Sequence, residues 1–288
     1  MAGELLQRAI PGTGELLPVL GLGTDKCFDV GEDLEARAPL RATLKIFGEG
    51  VGGLVDCSTM YARTEGVVGK LSLDLRLGHS LFYATKVWAR GRMEGIEQMQ
   101  DSMRKIKASR LNEATGLVSR MDLIQIHNLL DWRTHAHTLQ GWKAEGRVRY
   151  IGVTHYEKDA YDTLCDILRA KQFDFLQINF SILEREAEQK LLPLAMDTGH
   201  AVIVNRPFAD GALFPFVDGD PLPPWAPEIE CHTWSQYFLK FVLSHRAVTC
   251  VIPATGNPQH MEENLRAAKD PLPDAMTRKK MVEYLRSL

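Results

Sequence analysis

The stretch Val55-Asp56-Cys57-Ser58-Thr59-Met60-Tyr61 decides how this chain is read. An apolar run, Gly53-Leu54-Val55, ends in a carboxylate, and a tyrosine follows across a short polar loop. Two later apolar runs also end in ionisable residues: Leu81-Phe82-Tyr83-Ala84-Thr85-Lys86 and Asp122-Leu123-Ile124-Gln125-Ile126-His127. A charge at the last position of a buried strand is costly unless it is paired, so three such endings in succession point to a shared polar site. Side chains alternate along a strand. Leu54 therefore shares the face of Asp56, Phe82 and Ala84 that of Lys86, and Leu123 and Gln125 that of His127, while Val55 and Cys57 turn the other way.

Runs of the same kind recur outward from this stretch. They are Leu17–Leu22, Gly53–Cys57, Leu81–Lys86, Asp122–His127, Tyr150–Val153, Phe175–Phe180, Ala201–Val204 and Val248–Ile252. Amphipathic segments lie between them: Pro39–Phe47, Gly91–Lys107, Arg133–Glu145, Lys158–Ala170, Glu184–Thr198 and Glu230–Ser244. A repeat of about 25–45 residues fits one strand, one helix and their loops. Runs with little alternation of polarity are those of parallel strands buried on both faces. Eight such strands in 288 residues predict an α/β fold, a (β/α)8 TIM barrel, as a single domain over residues 1–288. Ile10-Pro11-Gly12-Thr13-Gly14 reads as a short N-terminal hairpin able to close the barrel bottom. A doubly wound open sheet is the runner-up, but Gly21-Leu22-Gly23 precedes no clear helix and lacks the third glycine of a dinucleotide fingerprint. Two segments break the rhythm. Phe208–Pro227 carries five prolines and is not expected to form a regular element, and Ala108–Arg120 lengthens the approach to the fourth strand.

Composition narrows the class. The chain is 45% hydrophobic and 25% charged with a formal net charge of −3, which offers no basic surface to nucleic acid. No apolar run is long enough to span a bilayer and the N-terminus lacks the pattern of a signal peptide, so a cytoplasmic protein is expected. Five scattered cysteines with no C-x-x-C suggest reduced thiols rather than a disulfide framework or zinc site. His135-Ala136-His137 follows a polar turn at a helix start, and no metal is expected there.

An ammonium beside a phenol favours the phenolate and lowers the phenol pKa, and a carboxylate next to the ammonium holds it charged. An imidazole can hydrogen-bond the oxygen that receives the proton. Together Asp56, Tyr61, Lys86 and His127 form a general acid suited to a carbonyl oxygen as negative charge develops on it. None of them is an obvious nucleophile, so a bound hydride donor is the natural source of the electron pair. Each residue alone has an ordinary structural role open to it. Their succession at strand ends is what carries weight.

The segment Asp56-Cys57-Ser58-Thr59-Met60-Tyr61-Ala62-Arg63-Thr64-Glu65, followed by Gly69, resembles the D-S-S-x-M-Y-G-x-[ST]-E…G motif of the aldo-keto reductases. Ala84–Trp88 and Asp122–Asn128 look like that family's lysine and histidine strands. Gly146–Thr154 is similar to its G-[KR]-[VI]-R-x-[IL]-G-[VI]-S segment, and Ile252-Pro253-Ala254-Thr255 with Glu263-Asn264 to its cofactor segment. The resemblance runs from about Leu20 to Leu265, with the motifs in the family's order. It implies NADPH as cofactor, NADH being possible, and a small-molecule carbonyl substrate. Tyr61 is then the proton donor, Lys86 and Asp56 its tuning pair, and His127 the group that orients the carbonyl. Thr154, His155 and Gln177 fall on positions that hold the nicotinamide carboxamide, and Thr24, Asn205, Arg206, Pro207 and Phe208 are further cofactor-binding positions. Pro253, Ala254, Thr255, His260, Glu263 and Asn264 fall toward the adenosine end.

Departures from the family pattern are specific. Asn205 stands where an aromatic ring usually stacks on the nicotinamide, with Arg206 beside it to compensate. Ala254 and His260 hold positions that often carry Lys and Arg for a 2′-phosphate, which weakens discrimination for NADPH. Ala62 replaces a loop glycine, and Asp25 stands where many members place a pocket tryptophan. The resulting expectation is a monomer or weak homo-oligomer that reduces an aldehyde or ketone. Its rivals are a nicotinamide-nucleotide-binding sensor or regulatory protein with little turnover, and an aldolase using Lys86 as a Schiff base.

Overall fold

The computed structural model describes residues 5–50, 52–78, 80–107 and 121–288, so the expected insertion at Ala108–Arg120 lies outside the described residues. Two short strands come first, β1 (Gln7–Ala9) and β2 (Leu16–Pro18), paired antiparallel with Gln7 opposite Pro18. Strand–helix units then follow in order. β3 (Leu22–Gly23) precedes α1 (Leu34–Gly50), β4 (Gly53–Asp56) precedes α2 (Thr64–Asp74), and β5 (Leu81–Val87) precedes α3 (Arg92–Lys107). β6 (Met121–His127) leads to α4 (Trp132–Ala144), β7 (Val148–Thr154) to α5 (Tyr161–Ala170), and β8 (Phe175–Asn179) to α6 (Leu191–Thr198). After β9 (Ala201–Asn205) come the one-turn α7 (Leu213–Phe216) and α8 (Trp234–Leu243); after β10 (Val248–Val251) come α9 (Pro258–Ala267) and α10 (Ala275–Ser287).

Strands β3 to β10 form one parallel sheet in chain order. Its two edges meet: Leu20 bridges Val251 and Gly23 bridges Ala254, with the Gly21 N–H donating to the Val251 carbonyl at 2.8 Å. This is the expected (β/α)8 barrel with its N-terminal hairpin. Alternation sorts the strands as predicted. Leu54, Phe82, Ala84, Leu123, Tyr150, Phe175 and Ile203 fill the inside, whereas Val55, Cys57, Tyr83, Ile124 and Ile126 pack outward with helix residues such as Leu44 and Phe47. The hairpin plugs the bottom, where Ile10 and Leu17 join the inner cluster and the Thr13 hydroxyl lies 2.9 Å from that of Tyr150.

Several boundaries differ from the sequence reading. The run Leu17–Leu22 is two strands, β2 in the hairpin and β3 in the barrel, with the closing seam between them. The seam admits little bulk: a Cβ on Gly21 would lie 2.7 Å from the Leu54 carbonyl, and one on Gly23 2.7 Å from that of Ile252. Helix α1 begins ahead of Pro39, because the Asp33 carboxylate caps the amides of Glu35 and Ala36 at 3.1 and 3.4 Å. Glu184–Thr198 is shortened to a 3-10 turn and α6, and α8 starts only at Trp234, where Thr233 accepts from the Gln236 amide. Phe208–Pro227 contains more order than expected: a 3-10 turn at Ala209–Gly211, α7, and the start of another turn at Ala226–Ile229. Among the described residues no helix is long and apolar enough to cross a membrane.

Candidate active site

Parallel closure brings the C-terminal ends of all eight strands to one rim. Asp56 ends β4, Lys86 lies near the end of β5, His127 ends β6, Thr154 ends β7 and Asn205 ends β9. The Lys86 ammonium donates to Asp56 Oδ2 at 2.5 Å and to the Cys57 carbonyl at 2.8 Å. Gln125 Nε2 lies 3.4 Å from Asp56 Oδ1, and Thr24 Oγ1 donates to the Asp56 backbone carbonyl at 2.7 Å. Lys86 is 1% and Asp56 3% exposed, so this ion pair is out of solvent.

Tyr61 reaches the pair from a tight turn, its amide donating to the Ser58 carbonyl at 3.0 Å. Its ring centroid is 5.3 Å from Lys86 Nζ and 6.5 Å from the His127 ring, edge to face. The next residue, Ala62, has φ 47°, the left-handed conformation for which glycine is preferred at this point of the motif. Ser58 was not among the expected site residues. Its hydroxyl accepts from the Met60 amide at 3.2 Å and lies 3.2 Å from His127 Nδ1. That hydroxyl can still donate to Nδ1, an arrangement that requires the imidazole proton on Nε2.

Electrostatics refine the expected chemistry. Burial works against the Lys86 ammonium, yet Asp56 and Tyr61 outweigh it and leave its pKa above the ordinary lysine value. Burial raises the Asp56 carboxyl despite the pull of Lys86. Burial also pushes the Tyr61 phenol up, and the Lys86 ammonium offsets this only in part. The expectation of a lowered phenol pKa is therefore corrected: desolvation of the phenolate is the larger effect. His127 is depressed to about 3, by burial first and then by the charges of Lys86 and His155, so its imidazole is neutral near pH 7.

A cavity of about 390 Å³ opens above the four residues, within the range of small-molecule sites. Of the expected cofactor residues it brings together Thr24, Thr154, Gln177, Asn205, Arg206, Pro207, Phe208 and Ala254. Buried Gln177 Oε1 and Asn205 Oδ1 have no hydrogen-bond partner. The remaining expected residues are not on its wall. His155 accepts the Glu157 amide on Nδ1 at 3.1 Å and stacks on Tyr156. Pro253 and Asn264 are buried nearby, Thr255 Oγ1 accepts from the Asn257 amide at 3.0 Å, Glu263 accepts from Ser235 Oγ at 3.1 Å, and His260 is exposed on α9.

Pairings along the wall escaped the sequence reading. Arg206, at φ 48°, places its guanidinium 4.5 Å from the centroid of the Tyr156 ring, so it pairs with that ring. Lys26 and Asp210, from the loops after β3 and β9, join across the mouth at 3.0 Å. Asp25 and Phe214 complete this side. Asp25 and Arg206 were visible as departures from a motif, whereas nothing local marks Lys26 and Asp210 as partners. The pair His135 and His137 shows no such convergence: His135 is buried in α4 with Nε2 2.7 Å from the Ala89 carbonyl.

The family model described as "Aldo/keto reductase family" matches residues 19–280, and the chain belongs to that family. Among curated relatives, an NADH-specific methylglyoxal reductase of Escherichia coli is 35% identical over 81 residues, 28% of this chain and 24% of that protein. An uncharacterized oxidoreductase of Schizosaccharomyces pombe is 30% identical over 157 residues, 52% of this chain and 48% of that one. The matches thus span about a quarter and about half of the relatives' lengths. The fold is also that of an aldo-keto reductase from Bacillus halodurans in its holo form, with a TM-score of 0.75 at 21% identity, covering 98% of this chain and 96% of that one. An aldo/keto reductase from Klebsiella pneumoniae in complex with NADP and acetate gives a TM-score of 0.75 at 20% identity, with 96% and 94% covered.

Proposed function

We propose that this protein is an NAD(P)H-dependent reductase that converts an aldehyde or ketone to the alcohol, with Tyr61 as proton donor. The observation that carries the reading is the buried Lys86–Asp56 pair set under the Tyr61 ring, beside a neutral imidazole, at the floor of one cavity. Tyr61 stays protonated at neutral pH because burial raises its pKa, so the proton is available for transfer. As the proton leaves for the substrate oxygen, the Lys86 ammonium stabilises the phenolate that remains. In the tautomer with Ser58 donating to Nδ1, Nε2–H of His127 donates to the same oxygen and orients the carbonyl.

The residues present fit a nicotinamide. The partnerless acceptors Gln177 Oε1 and Asn205 Oδ1 suit the N–H groups of its carboxamide, and Thr154 lies on the same wall. A reduced nicotinamide supplies the hydride. Both NADP and NAD forms are proposed as cofactors, since the Klebsiella structure holds NADP and the Escherichia coli relative is named NADH-specific. That relative's name also makes methylglyoxal a first substrate to try. An aldolase role for Lys86 is disfavoured, because a Schiff base needs a neutral amine and Asp56 keeps this one charged.

The test follows the loss of nicotinamide absorbance with methylglyoxal and a panel of aldehydes. Tyr61→Phe is expected to lower kcat by about 10²–10⁴-fold while cofactor quenching of tryptophan fluorescence persists. Residual activity within a few-fold of wild type would refute the role given to Tyr61. Cofactor binding with no turnover of any carbonyl compound would favour a sensor protein instead.

A further inference from the structure

Asp25 is an anomaly on the wall of the cavity. It follows Thr24, whose hydroxyl is tied to the Asp56 carbonyl at 2.7 Å, and Gly23, which pairs in register with Asp56. Its backbone is therefore held beside the strand end that carries the Lys86 partner. It is half-buried and lines the same space as Tyr61, Lys86 and His127. Among the described residues it has no hydrogen-bond or ion-pair partner. Its neighbour Lys26 makes its direct ion pair with Asp210 instead. A carboxylate that faces the cavity without a protein donor is hydrated, and a ligand that displaces that water must supply a donor in its place.

We propose that Asp25 determines substrate specificity, selecting carbonyl compounds that carry a hydroxyl beside the reacting carbon over those that carry a carboxylate there. The assignment rests on the carbonyl-reductase reading above. Asp25 is close enough to the reacting groups for its charge to act on Tyr61 and Asp56. Reduction places negative charge on the substrate oxygen beside Tyr61, and a bare carboxylate nearby opposes it. A substrate hydroxyl that donates to Asp25 screens that repulsion, whereas a substrate carboxylate adds to it. A hydroxyl suits the site better than an ammonium, because the cationic residues Lys86 and Arg206 line the same cavity. A site built around such a bond rejects the analogue that lacks the donor far more strongly than an apolar pocket rejects an added group.

The experiment measures kcat/KM for propanal, 2-hydroxypropanal and glyoxylate with the wild type and with Asp25→Asn, which keeps the shape and removes the charge. The wild type is expected to favour 2-hydroxypropanal over propanal by at least about tenfold. In Asp25→Asn that ratio falls about tenfold and the glyoxylate-to-propanal ratio rises by a similar factor. Comparing each substrate across variants cancels its hydration in water. Asp25→Glu, which restores the charge, is expected to recover the discrimination against glyoxylate. If Asp25→Asn does not fold, as judged by fluorescence quenching with NADPH, Asp25→Ser is measured in its place. A wild type that treats propanal and 2-hydroxypropanal alike, or a charge-free variant with both ratios unchanged, overturns the assignment. A wild type that binds cofactor and reduces none of the three compounds overturns the reductase reading, and this assignment falls with it.

Discussion

The two ends of the barrel are built from nearly the same chemistry and behave differently. At the bottom, Arg149 is clamped between Glu15 and Asp122, with Arg149 Nη1 3.0 Å from Asp122 Oδ1, and the Tyr150 hydroxyl donates to Glu15 at 2.5 Å. At the top, Lys86 is paired with the single carboxylate of Asp56 beneath Tyr61. Each cluster holds a base, a tyrosine and acid groups at the ends of neighbouring strands. The bottom cluster is bound to the hairpin, which covers it: Asp122 also accepts the Tyr83 amide at 2.8 Å, and Thr13 reaches Tyr150. The top cluster faces a cavity whose walls carry unpartnered acceptors. Function is read from the end whose hydrogen-bonding groups lack protein partners, because those are the groups a ligand completes.

Substitution of the two cations sets the ends against each other most strongly. Lys86→Met is expected to cut kcat by more than about 100-fold and, by leaving Asp56 buried without its partner, to destabilise the fold by about 3 kcal/mol. Arg149→Met should cost a similar ~3 kcal/mol, since Asp122 is fully buried, yet leave kcat per folded molecule unchanged. Denaturant melts combined with rates on active-site-titrated enzyme read both quantities, and a large fall in kcat for Arg149→Met would erase the distinction.

The pH dependence sharpens the picture of the top. His127 is neutral when folded, down to about 3, but in the unfolded chain it takes up a proton below its ordinary value of 6.5. Between those values the unfolded state binds more protons, so stability falls as pH falls from about 6.5 toward 3. Urea melts of His127→Gln should show a shallower fall over that window. The kcat/KM profile of the wild type should show no ionisation of His127 above pH 5.

The smallest expected effect lies at the mouth. Lys26 and Asp210 are both more than half exposed on their side chains, so their bridge adds little to stability, within about 0–1 kcal/mol. Because it spans the cavity, Asp210→Asn should speed cofactor release by a few-fold in stopped-flow fluorescence without a measurable change in Tm. An unchanged release rate would show that the bridge does not restrain the ligand.

Much of this architecture was legible in the chain. The alternation of apolar runs and amphipathic segments predicted the barrel, and strand parity correctly turned Asp56, Lys86 and His127 inward while sending Cys57 out to the helices. Motif residues carried the resemblance to the family. Less was legible wherever local preference and long-range packing disagreed. Pro39 reads as a helix start but lies within α1, because the upstream cap at Asp33 extends the helix. Leu17–Leu22 reads as one strand but divides, because the barrel must close between Gly21, Leu54 and Val251, residues far apart in sequence.

The order of the strands, the face each side chain takes and the set of ionisable groups at their ends follow from the sequence alone, since a period of two and a parallel crossover leave little choice. Only the tertiary structure decided the strength and partners of those groups. It set burial above charge in fixing the Tyr61 pKa, tied Ser58 to His127, drew Arg206 onto Tyr156 and left Asp25 without a donor. Desolvation and pairing depend on distances between residues that the chain separates, and those distances come into being only when the barrel closes.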